Sequence, residues 1–129
     1  MFDLDFDPNA APTIEALRAA IKKVFPGVET ETRPYMGGEI VRAKIWQYHL
    51  EFDLTATPLA YSGKAGAVRM QFKWVPPEGK NIILDHGNTE RMEPVRAFAY
   101  RTRAYLDGIT AAISIACEEE GEEPIADLV

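Results

Sequence analysis

The chain has 129 residues, 47% of them hydrophobic, and a formal net charge of −6 at neutral pH. That is enough for one hydrophobic core and too little for two ordinary domains, so residues 1–129 read as a single α+β domain. No apolar run approaches the length of a membrane span, and the opening MFDLDFDPN lacks the basic and apolar regions of a secretory signal, which predicts a soluble, cytoplasmic protein with no membrane partner.

The charge is unevenly spread. Asp3, Asp5, Asp7, Glu118, Glu119, Glu120, Glu122, Glu123 and Asp127 make up nine of the 20 acids, and the remaining 11 face all 14 Lys and Arg, so residues 8–117 carry +3. Flexible acidic ends are expected at about 1–8 and 121–129. They read either as solvated tails that keep an oligomer soluble or as an acidic strip that competes for the basic groove of a nucleic-acid-binding protein. Either way the ends argue against direct DNA or RNA binding.

In chain order, Pro12 suits a first helical position, and Ile14, Leu17, Ile21, Val24 and Phe25 form one apolar face that stops at Pro26-Gly27. Residues 28–35 alternate weakly and contain Pro34, which predicts an edge strand or extended arm before the Gly37-Gly38 turn. Trp46, Tyr48, Leu50, Phe52 and Leu54 then alternate with Gln47, His49, Glu51 and Asp53, the pattern of a strand with one buried face. Val41, Ala43 and Ile45 hold the opposite phase, so a bulge or a doubly covered stretch is expected near Ile45.

Residues 56–66 read as a long loop. The next strand places Val68, Met70, Phe72 and Trp74 inward and Arg69, Gln71 and Lys73 outward. Pro76 to Gly79 form a turn, and Ile82, Ile83 and Leu84 a short apolar strand ending at Asp85-His86-Gly87-Asn88. The expected fold is a short N-terminal helix, a mainly antiparallel sheet of about four strands, and a long C-terminal helix on one face of the sheet.

That last helix, from about Pro94 to Glu119, carries two apolar faces. Val95, Phe98, Ala99, Thr102, Tyr105, Leu106, Ile109, Ala112, Ile113, Ala116 and Cys117 form a wide stripe. Nearly opposite lie Ala97, Ala104, Gly108, Ala111 and Ile115, small residues that let a second backbone approach, so the helix is expected to form the interface of a homo-oligomer. Cys117, the single cysteine, reads as a core residue with no intramolecular partner.

Few residues carry a chemical signature. Ser62-Gly63-Lys64 lacks the glycine and hydroxyl of a phosphate-binding loop, since Pro58 and Ala65 stand there, and Glu78-x-Lys80 lies in a turn without an acidic strand partner. His49, Glu51, Asp53 and His86 could converge on a cation in a metal-dependent hydrolase, although Arg42, Lys44, Arg69 and Lys73 on the same face would make ordinary cross-strand pairs of them. No catalytic team and no cofactor are predicted.

An anion-binding strip is a further candidate: Arg96, Tyr100, Arg101 and Arg103 on the long helix, with Asn88, Arg69 and Lys73 nearby, offer forked donors beside an aromatic plane for a nucleotide-like ligand. Arg103 and Asp107 also have the spacing of an intrahelical ion pair. The reading that uses the most sequence is a non-enzymatic interaction module, a homo-oligomer that binds a protein partner. Small size, acidic ends and the missing catalytic motif suit an inhibitor or accessory protein of a mobile element.

Overall fold

The computed structural model describes residues 7–35, 38–54 and 67–119, with side chains at 35 and from 114 onward outside that description. The acidic ends therefore lie almost wholly outside the described residues, as do the loop at 56–66 with Ser62-Gly63-Lys64 and the side chains of Ile115 and Cys117. Helix α1 (Ile14–Val24) begins after Thr13, whose extended backbone and side-chain oxygen, accepting from the Ala16 N–H at 3.1 Å, supply the N-cap. Glu15 in its first turn and Lys22 and Lys23 in its last complement the helix dipole. Leu17, Ala20, Ile21 and Val24 point into the core.

Five strands follow: β1 (Thr30–Tyr35), β2 (Gly38–Ile45), β3 (Tyr48–Leu54), β4 (Val68–Trp74) and β5 (Ile82–Thr89). They pair antiparallel in sequence order, which leaves β1 and β5 as the two edges among the described residues. The chain closes with α2 (Met92–Glu119). This is the expected α+β architecture with five strands in place of about four.

The additional strand comes from the phase change at Ile45. It is neither a bulge nor a doubly covered stretch but a tight reversal: Ile45 pairs with Tyr48, and Trp46 takes a positive φ of 54° to turn the chain. A β-hairpin reverses which residues face inward, so the two phases belong to two strands. The second difference is in β5, which continues through Asp85, His86, Gly87 and Asn88 to Thr89. Gly87 faces Met70, and a Cβ there would lie 3.1 Å from the Met70 Cε, so a larger residue would require the end of the Met70 side chain to give way by a few tenths of an ångström.

Both helices cover one face of the sheet. Val41, Ala43, Ile45, Leu50, Phe52, Val68, Met70 and Phe72 meet Leu17, Ile21, Phe25, Val95, Phe98 and Leu106 in one core. Phe52 meets Phe98 edge-on at 6.2 Å, and Phe72 meets Tyr105 the same way at 5.5 Å. Thr102 is buried in this stripe because its hydroxyl donates to the Phe98 carbonyl at 3.0 Å. The start of α2 is tied down by the N-terminal segment, with Met92 N–H donating to the Ala10 carbonyl at 3.1 Å and Glu93 N–H to the Pro8 carbonyl at 2.9 Å.

The wide stripe of α2 is not covered along its whole length. Residues Val95 to Leu106 are buried where they face the sheet, Ile109 is half-buried, and Ala112 is exposed. A helix of 28 residues spans about 42 Å, whereas a strand of eight spans about 27 Å, so the C-terminal part of α2 runs past the sheet. Tyr105, at the margin of the stripe, is about half exposed.

Candidate functional site

The face of the sheet turned away from the helices carries the polar outward residues in three rows. Arg33, Ile40, Asp53, Arg69 and Asn88 form the first, Glu31, Arg42, Glu51, Gln71 and His86 the second, and Lys44, His49, Lys73 and Ile83 the third. At about 4.8 Å between strands, five strands lie flat across about 19 Å. Yet Arg33 on one edge strand and Ile83 on the other line a single cavity of about 530 Å³, so this face is concave.

Glu51 sits at the centre of the concavity and is only 2% exposed. Its Oε2 accepts from Arg42 Nε at 2.6 Å and its Oε1 from Lys73 Nζ at 2.7 Å, while Arg42 reaches on to Glu31 at 3.1 Å. The Lys73 and Arg42 cations outweigh the cost of burial and hold the Glu51 carboxyl below the usual range. Asp53, 4% exposed, accepts from Arg69 at 3.0 Å through Oδ2, and its Oδ1 is buried with no hydrogen-bond partner among the described residues. Burial raises the Asp53 pKa despite Arg69, the opposite outcome to its neighbour. Burial and then Arg42 lower the His49 pKa, so its 3.7 Å approach to Glu51 is made by a neutral imidazole at neutral pH.

The metal candidates thus share a face without forming a metal site. Glu51 is held by two cations, Gln71 separates it from His86, and among the described residues no group of three His, Cys, Asp or Glu side chains is placed to hold an ion.

The anion-binding set is divided by the sheet. Arg69, Lys73 and Asn88 lie on the open face, while Arg96, Tyr100, Arg101 and Arg103 belong to α2 on the other side. Arg101 donates to Asp85 at 2.7 Å and stands 4.9 Å from the centre of the Phe98 ring. Arg103 pairs with Asp107 at 3.2 Å, donates to the Val24 carbonyl at 3.2 Å and covers the Phe25 ring, so it closes the C-terminal end of α1. Arg33, Ile40 and Asn81 had no part in the sequence reading. The alternation of Glu31 and Arg33 along β1 is the signal from which Arg33 could have been placed on this face.

The small-residue row of α2 is uncovered. Ala97, Ala104, Gly108 and Ala111 are exposed, and beyond its chain neighbours and the local helix backbone no described atom lies within 4 Å of where a Gly108 Cβ would stand. The row adjoins the β5 edge, where Ile82, Ile83 and Leu84 are 47%, 50% and 38% exposed. Between them lies a groove of about 520 Å³ walled by Phe72, Leu84, Arg101, Ala104 and Tyr105. Among the described residues no helix is long and apolar enough to cross a membrane. Comparison of the chain with family models, curated proteins and solved structures finds no match.

Proposed function

We propose that this chain is a non-enzymatic interaction module that works as a homo-oligomer, joined along the β5 edge and the outer row of α2, and that the assembly presents its remaining surface and acidic ends to a protein partner. The observation that carries this is the run of three consecutive aliphatic residues, Ile82, Ile83 and Leu84, exposed on an edge strand. Unpaired strand edges with apolar side chains are templates for pairing, and soluble proteins blunt the edges they do not use. The other edge is blunted in this way: β1 carries Glu31, Arg33 and Pro34.

A second copy suits the surface because an antiparallel strand edge is self-complementary about a two-fold axis, and the row Ala97, Ala104, Gly108 and Ala111 lets two helices approach closely. Tyr100 and Tyr105, each about half exposed, add aromatic area beside that row. The protein expected from this arrangement has a mass of at least twice 14.4 kDa in sedimentation equilibrium at micromolar concentration. Ile83→Lys and Gly108→Glu, both at exposed positions, are each expected to return the monomer mass with the melting curve of a folded protein. A wild-type chain that sediments at 14.4 kDa sinks the proposal.

A further inference from the structure

We propose that the concave open face of the sheet binds a small polyphosphate-bearing ligand of the nucleotide class, at a site that borders the β5 edge through Ile83. The chain carries −6 overall, yet four cations, Arg33, Arg42, Arg69 and Lys73, converge on this one cavity, whose lining includes a single acid, Glu51. Both oxygens of that acid are engaged, Oε2 by Arg42 and Oε1 by Lys73. Glu31 and Asp53 hold Arg42 and Arg69 from the margin, and the cations still outnumber the carboxylates. Burying like charges together is unfavourable unless an anion joins them, and a ligand phosphate supplies what the protein's own acids do not.

Donors remain for it. Arg33 is exposed and has no partner among the described residues, and Arg42, which lines the cavity, uses only Nε and Nη1 on Glu51 and Glu31. A guanidinium fork matches two phosphate oxygens at once, and Lys73 adds a point charge at the centre. The same cavity has apolar walls, with Pro34 and Ile40 toward one edge of the sheet and Ile83 toward the other, where a planar ring can lie. Gln71 and Asn81 supply amides able to donate to and accept from the polar edge of a base or sugar.

Size and total charge select a small ligand over a polymer. About 530 Å³ falls within the range of small-molecule sites, and the cavity is bounded by β1 on one side and β5 on the other. A net charge of −6 repels a long polyanion while leaving a local basic pocket intact.

The test is calorimetric titration of the full chain with ATP, with inorganic tripolyphosphate and with a single-stranded oligonucleotide. ATP is expected to bind at one site per chain with Kd below about 1 mM in dilute salt, and to weaken as the salt is raised. It should bind more tightly than tripolyphosphate, because only ATP reaches the apolar walls. Arg33→Glu and Asn81→Asp change exposed side chains, so they should leave the unliganded melting temperature unchanged and weaken ATP about tenfold or more. No heat with ATP at about 5 mM overturns the site, as does an affinity that Arg33→Glu leaves intact. Tripolyphosphate binding as tightly as ATP overturns the nucleotide assignment, and an oligonucleotide binding more tightly than either makes the face a nucleic-acid surface instead.

Discussion

Phe52 and its neighbours Glu51 and Asp53 are all buried on β3, by opposite means. Phe52 is covered by apolar side chains from the helices, a non-directional arrangement in which neighbours of similar volume can substitute for one another. Glu51 is covered by Arg42 and Lys73 on the other face of the same strand, where the cover must also match charge and hydrogen-bond geometry. One strand therefore holds a face that sets stability and a face whose order depends on specific partners.

The largest effect should come from the covered face. Phe52→Ala removes a ring that meets Phe98 at the centre of the core, and is expected to lower the unfolding free energy by about 3–5 kcal/mol, read as a lower midpoint in urea with unchanged slope. A loss under about 1 kcal/mol would mean that the helices do not pack as described.

On the open face, Glu51→Ala leaves Arg42 and Lys73 without their shared carboxylate. Both cations keep about a fifth of their side chains in solvent, so the cost should be about 2–3 kcal/mol, toward the low end for a broken buried pair. Asp53→Asn should cost clearly less than Glu51→Gln, because the fold disfavours the charged form of Asp53 and favours that of Glu51. The reverse order in chemical denaturation would contradict the contrast between these two carboxylates.

The pH dependence separates the three groups. His49 has a folded pKa below its unfolded value of about 6.5, so the unfolded state takes up the proton first and stability falls as pH drops through that region. His49→Gln should flatten the melting temperature between about pH 7 and pH 5. Glu51, with a lowered folded pKa, stabilises fully above the unfolded value of about 4.3, and that contribution disappears as pH falls through its folded value. Asp53 runs the other way: its raised folded pKa makes stability fall as pH rises from about 3.9 through the folded value, and Asp53→Asn should remove that slope.

The smallest effect is expected at the turn joining β2 to β3. Trp46→Gly relieves a positive φ in a residue with a Cβ but removes the contact between the Trp46 and Tyr48 rings at 5.9 Å, two changes of about 1 kcal/mol and opposite sign. A net change above about 2 kcal/mol would show that Trp46 does more than turn the chain.

Where the sequence reading succeeded and failed follows from what each signal reports. Period-2 alternation in β3 and β4 assigned Leu50, Phe52, Met70 and Phe72 to one face and Glu51, Asp53 and Lys73 to the other, because side-chain direction in a strand is local. The reversal after Ile45 was missed because Trp46-Gln47 contains none of the Gly, Asn or Asp that mark two-residue turns. The strand of Ile82, Ile83 and Leu84 was expected to end at Asp85 to Asn88, whereas pairing with β4 carries it through them to Thr89. Arg42, Arg69 and Lys73 were expected on one face, but their convergence with Arg33 in one cavity was not legible, since β1, β2 and β4, which carry the four, must adopt one register across β3 and curve before those side chains share it.

The amino-acid order by itself determined the two amphipathic helices, the inward and outward residues of the strands and the small-residue row on α2, because these follow from backbone periodicity over a few neighbours. Only the tertiary structure decided which outward residues meet, how much of α2 the sheet can cover and which edge strand is left apolar. Those depend on strand register, sheet curvature and the lengths of distant elements, and no short-range pattern encodes them.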